Sequence, residues 1–179
     1  MPLRFEILRP ASLAAVHWQR WSEIQAAEPA LESPYFRPEF TQAVAQVRRD
    51  VEVAVMLQGN EAVGFLPFQR GPLNIGKPVG GKLSDYHGVI ARSGAQIDTA
   101  ELLRACRLAG WDFDHLVTTQ PSFEPFATGR GESPYLDLSQ GYEQERPEGA
   151  GGALEAAALS AGGSHPPPED RRRGRPPPI

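Results

Sequence analysis

At 179 residues, 40% of them hydrophobic and 8% aromatic, the chain has apolar material for one ordinary core. Its formal net charge of -4 argues against a general affinity for nucleic acid or anionic lipid. The N-terminus MPLRFEILRP lacks the long apolar run of a signal peptide, and no stretch approaches the roughly 18 consecutive apolar residues of a membrane span, so a cytoplasmic home is expected.

Leu3 to Leu8 alternates as a short strand would, and Pro10 ends it. Ser12 is placed to cap a helix that carries Leu13, Val16, Trp21 and Ile24 and runs to about Ala27. A proline-rich loop from Glu28 to Arg37 follows. Pro38 then suits the first turn of a second helix, with Phe40, Val44 and Val47 on one side. At Val51 the period changes. Val51 to Leu57 reads as a largely buried strand, Gln58 to Glu61 as a turn, and Ala62 to Gln69 as the return strand of a hairpin. Pro67, inside that return strand, requires an edge, a bulge or a splayed position.

Gly71 to Gly81 reads as a long loop too irregular for a regular element. Its lysine is followed by Pro78 rather than Ser or Thr, so it is no P-loop. A strand is predicted over Tyr86 to Ala91. A helix capped by Asp98 or Thr99 follows and runs through Ala109 to a stop at Gly110. Further strands are predicted over Phe113 to Thr118 and Tyr135 to Leu138. The expected fold class is α/β (α+β): a mixed, twisted sheet flanked by helices.

From Glu145 onward there are no aromatics and no valine, while seven of the 18 prolines fall there. Such a segment buries too little apolar surface to offset backbone ordering at roughly 1–2 kcal/mol per residue, so a disordered tail over 145–179 is expected after a domain over 1–144. Its Arg171 to Arg175 run adjoins Glu169 and Asp170 and reads as solvated.

The densest polar cluster in the folded part is Ser84-Asp85-Tyr86-His87-Gly88. Asp85 and His87 suit an acid/base pair, and Tyr86 and His87 suit the lining of a substrate cleft. Alternatively, Ser84 and Asp85 bond loop amides while Gly88 permits a tight approach of the chain. His115 stands between Asp114 and Leu116 with Asp112 close by, but a metal site needs more ligands than that run supplies, and none is expected. His17 reads as a surface residue and His165 lies in the tail. The lone cysteine, Cys106, excludes an internal disulfide and falls among leucines, as a small buried apolar group would.

The order of elements resembles the GNAT acyltransferase fold. The runs Ser33-Pro34-Tyr35-Phe36-Arg37-Pro38-Glu39-Phe40, Phe65-Leu66-Pro67-Phe68, Leu83 to Gly88 and Trp111 to Leu116 are similar to the CelD-type, BioF2-like acyltransferases, over about residues 3 to 144. These are bacterial proteins linked to cellulose or other exopolysaccharide production. The resemblance implies one half of a two-half architecture like that of the FemAB aminoacyltransferases, with acyl-CoA as co-substrate held mainly by the second half. It implies Asp85, Tyr86 and His87 as the residues lining the cleft, with catalytic residues unassigned and a small molecule or glycan as acceptor. In single-domain GNAT proteins a pyrophosphate loop of the form Gln/Arg-x-x-Gly-x-Gly/Ala opens the helix after the fourth strand. Ala91 to Gln96 has one glycine at a different interval, so no CoA site is expected in this half.

The 16 arginines against two lysines suggest a GC-rich coding sequence, and a frameshift near codon 144 would account for the change of character there. On that expectation the chain is inactive alone, and an uncovered apolar face promotes self-association. The alternative is a non-enzymatic binding or scaffold module on the same sheet.

Overall fold

The computed structural model describes residues 2–131, and the fold is that of the unit ending at Gly129. The strand predicted over Tyr135 to Leu138, the expected boundary at 144 and the tail lie outside the described residues.

Strand β1 (Arg4–Leu8) pairs antiparallel with β2 (Val51–Gln58), which pairs antiparallel with β3 (Glu61–Arg70). Two residues, Gly59 and Asn60, join β2 to β3. Gly59 takes φ +64 and Asn60 stays at negative φ, the sign pattern of a type II′ hairpin turn. Beyond β3 lie β4 (Ile75–Lys77) and β5 (Ile90–Ala91), both antiparallel to it, and β6 (Gly110–Trp111), which runs parallel to β4. The sheet is therefore mixed. Helices α1 (Ala15–Ala27), α2 (Pro38–Val47) and α3 (Thr99–Ala105) complete the α+β architecture.

Because side chains alternate along a strand, β2 sends Val53, Val55 and Leu57 to one face and Ala54 and Met56 to the other. All five are buried. The first face packs with Trp21, Ile24, Leu31, Phe36, Phe65 and Ile90. The second packs with Leu66, Phe68, Leu102, Cys106 and Phe123. A strand covered on both faces reads as a continuous apolar run, which is why VEVAVML shows so little alternation. Trp21 organises the first face: fully buried, it stacks between Trp18 and Phe65 at 5.6 and 5.1 Å and donates its indole N–H to the Phe36 carbonyl at 2.8 Å.

Several expectations are corrected. Ser12 caps nothing; it ends a 3₁₀ turn over Pro10–Ser12, and α1 starts at Ala15 without a side-chain cap. Leu13 is buried ahead of the helix, whereas Val16 is 66% exposed. Pro38 does open α2, but the buried residues there are Pro38 and Thr41, and Val47 is 81% exposed. The Gly71 to Gly81 stretch contains β4. The strand predicted over Tyr86 to Ala91 is regular only in its last two residues, and Phe113 to Thr118 contributes a single bridge at Leu116.

Helix α3 stops at Ala105 rather than Ala109, and Gly110 enters β6 instead of closing the helix. A backbone turn ends the helix: Arg107 adopts φ +54, its N–H donates to the Arg104 carbonyl at 2.9 Å and the Leu108 N–H donates to the Leu103 carbonyl at 2.9 Å. Just beyond it, the Arg70 guanidinium makes a two-pronged pair with Glu52 at 2.9 and 2.7 Å and donates to the Cys106 and Arg107 carbonyls at 2.8 and 3.3 Å. One charged fork thus ties the turn to β2 and β3.

Pro67 occupies the splayed position. On one side β3 pairs with β2 over its full length; on the other it pairs with β5 at Gly64 and Phe65 and with β4 at Gln69 and Arg70. Leu66, Pro67 and Phe68 pair with neither, so the absent N–H falls where no strand needs it.

Candidate functional site

The Ser84 to Gly88 segment is tied down by His87. The ring is buried, with 3% exposure. Its Nε2 lies 2.8 Å from the Ser84 carbonyl, which can only accept, so Nε2 carries the proton. Its Nδ1 accepts the His115 backbone N–H at 3.2 Å. The His87 backbone adds two more bonds, donating to the His115 carbonyl at 2.8 Å and accepting from Val117 N–H at 3.1 Å. Together these make the parallel bridge from His87 to Leu116. Both ring nitrogens serve backbone groups, which holds the imidazole neutral.

Asp85 and Tyr86, between these buried anchors, are exposed. No hydrogen bond joins Asp85 to His87 among the described residues; the carboxylate acts on the ring through its charge. Tyr86 stacks with Tyr35 at 6.4 Å and meets Phe36 edge-on at 6.5 Å, while Tyr35 meets Phe40 edge-on at 5.1 Å. The run from Ser33 to Phe40 is thereby brought onto the 84–88 segment. Of the residues proposed from sequence, Tyr86 and Asp85 face solvent and His87 is the brace behind them.

Two further residues complete the site. Asp114 Oδ1 lies 3.1 Å from His115 Nδ1 and 3.4 Å from His87 Nδ1. The hydrogen bond from His115 is the main influence holding the Asp114 carboxyl below the usual carboxylate range. Gln120 uses its side-chain amide as a strand would, accepting from Val89 N–H at 2.8 Å and donating to the Val89 carbonyl at 2.7 Å. It lies directly over Gly88, where an added Cβ would come within 2.4 Å of its Nε2. Nothing in the sequence marked Gln120, because its partner is a backbone unit 31 residues away.

On the other side of β5, Ala91 to Gln96 borders a cavity of about 390 Å³ shared with Glu28, Leu31, Gln120 and Phe123. The Glu28 carboxylate already accepts the Ser93 backbone N–H, and Asp98 accepts the Glu101 N–H at the start of α3. The Arg92 guanidinium is engaged by Gln58 and Glu61. Carboxylates therefore occupy two of the amides in this region, those of Ser93 and Glu101. Cys106 is buried, and burial pushes its thiol up to about 12, so it offers no nucleophile at neutral pH.

Burial is also the largest influence on His87, lowering it from the ordinary 6.5 against the opposing pull of the Ser84 carbonyl and Asp114. A base with a lowered folded value takes up its proton later than in the unfolded chain, so its contribution is complete above 6.5 and fades as pH falls below it. The urea midpoint is therefore expected to drop between about pH 7.5 and about pH 5, and His87→Gln is expected to flatten that slope while lowering stability at the upper end. An unchanged slope in His87→Gln would remove this histidine as its source.

Among the described residues no helix is long and apolar enough to cross a membrane. No protein-family model, curated protein or solved structure matches the chain.

Proposed function

We propose that this chain is the acceptor-side half of a GNAT-related acyltransferase, binding a hydroxyl-rich acceptor such as a glycan around Tyr86 and Asp85 without itself holding acyl-CoA. The observation that carries the reading is the pairing of an exposed aromatic–carboxylate surface with a rigid brace. Tyr86 and Asp85 stand in solvent between Ser84 and His87, both buried and both bonded to backbone. Sugars are recognised by flat aromatic faces with carboxylates beside them, and a fixed backbone beneath lowers the ordering cost of binding. The element order supports the acyltransferase kinship: a strand, two helices, an antiparallel hairpin, then the short β4 and β5, α3, and a return through β6, parallel to β4, to the parallel bridge at Leu116. The carboxylates on the Ser93 and Glu101 amides support the absence of a CoA site in this half.

One calorimetric experiment with two ligands tests this. Short β-linked glucan oligosaccharides are expected to bind saturably, and Tyr86→Ala to weaken them at least about tenfold, or roughly 1.4 kcal/mol. Acetyl-CoA is expected to give neither a saturable signal nor thiol release. Unchanged glucan affinity in Tyr86→Ala overturns the acceptor surface, and acetyl-CoA binding with turnover overturns the division of labour. A second reading, a non-enzymatic binding module, is favoured by His87, whose two ring nitrogens are both committed to backbone and leave nothing there to move a proton. The two readings part when a chain supplying the CoA-binding half is added: acyl transfer to the glucan appears only under the first.

A further inference from the structure

We propose that His87, Asp114 and His115 form a binding site for one divalent transition-metal ion, with Zn²⁺ as the best fit. The inference is independent of the acceptor reading and rests on ligand type, spacing and support. His87 Nδ1, Asp114 Oδ1 and His115 Nδ1 all lie within 4.8 Å of one another. Two ligands each about 2.0–2.1 Å from a tetrahedral ion stand roughly 3.3–3.4 Å apart. The pairs here are 3.4 Å for His87 with Asp114 and 3.1 Å for His115 with Asp114, so two of the three edges are near bonding geometry.

The support around the buried ligand is what metal-bound histidines use. A ligating imidazole normally donates its other N–H to a carbonyl or carboxylate, which fixes the tautomer and aims the lone pair. His87 does this with the Ser84 carbonyl at 2.8 Å, so Nδ1 bears its lone pair on the side of Asp114 and His115. The site is open as well as aimed: the Asp114 and His115 side chains are 75% and 44% exposed, leaving a path for the ion and room for water as a fourth ligand. Two imidazoles and one carboxylate without a thiolate favour Zn²⁺, Co²⁺ or Ni²⁺ over Mg²⁺ or Ca²⁺.

Binding displaces two existing interactions. The His115 Nδ1 proton moves to Nε2 through solvent, freeing Nδ1 and the Asp114 oxygen. The His115 amide gives up a contact to His87 Nδ1 that, at 3.2 Å, is already at the long limit for a hydrogen bond.

The test uses the full chain, stripped with EDTA and desalted, then titrated with ZnCl₂ in a calorimeter. One saturable site is expected. Asp114→Asn and His115→Ala, both surface changes, are each expected to weaken it at least about 100-fold, since even outer-shell partners are worth up to that much. His17→Ala combined with His165→Ala is expected to leave the affinity unchanged. No saturable binding, binding that survives both site variants, or binding lost with His17 and His165 would each overturn the site.

Discussion

Trp21→Ala is expected to lower the folding free energy by about 3–5 kcal/mol, which is a large part of the stability of an ordinary domain. The residue is fully buried against the sheet, so truncation opens a cavity bounded by Trp18, Phe36 and Phe65 that these rigid rings cannot collapse to fill. It also strands the Phe36 carbonyl, which takes the indole N–H at 2.8 Å. Trp21→Phe separates the contributions. Most of the stacking on Phe65 survives, the hydrogen bond does not, and the loss is expected to be about 1–2 kcal/mol. Urea denaturation followed by circular dichroism reads both, and at ordinary slopes the alanine variant shifts the midpoint by about 2 M. A shift in Trp21→Ala no greater than that in Trp21→Phe would show that the carbonyl, not the buried ring, dominates.

Gly88→Ala is expected to cost about 2–4 kcal/mol, from two sources that act together. The backbone sits at φ +150, where side chains are strained, and the new Cβ would lie 2.4–2.8 Å from three atoms of the Gln120 amide. Gln120 cannot step aside without dropping both of its bonds to Val89. The loss therefore spreads to β5 and to the 84–88 segment that presents Asp85 and Tyr86. Gln120→Ala in the Gly88→Ala background is the informative companion. It removes the clash but not the strain, so the double variant is expected to be destabilised by less than the sum of the single changes. Additive losses would refute the steric account.

The longer elements were legible because periodicity had room to show itself. β1, the hairpin and the first turn of α2 follow from alternation, a Gly-Asn turn and a proline at the helix start. β4, β5 and β6 span two or three residues each, too few for any period, and exist through pairings the local sequence does not encode. α3 ends ahead of Gly110 because Arg107, a residue type that does not announce it, takes the left-handed conformation that turns the chain. The site was half legible. Ser84 to Gly88 stood out by composition, and Cys106 by its leucine neighbours. The approach of His87 to His115 left no mark in the sequence, because a bridge brings together two residues 28 positions apart. Long-range pairing of short segments gives no local signal.

The interrupted flank of β3 bears on how the chain reaches its fold. The hairpin closes locally, whereas β5 must return from residue 90 to meet Phe65. Until it does, the outer rim of β3 is a row of unsatisfied amides and carbonyls beside Phe65, Leu66 and Phe68, an invitation to a neighbouring nascent chain. Pro67 falls in the middle of that row and withholds the donor that a continuous intermolecular ladder needs. The residue that the finished sheet merely accommodates thus acts as a gatekeeper while the sheet is still being assembled.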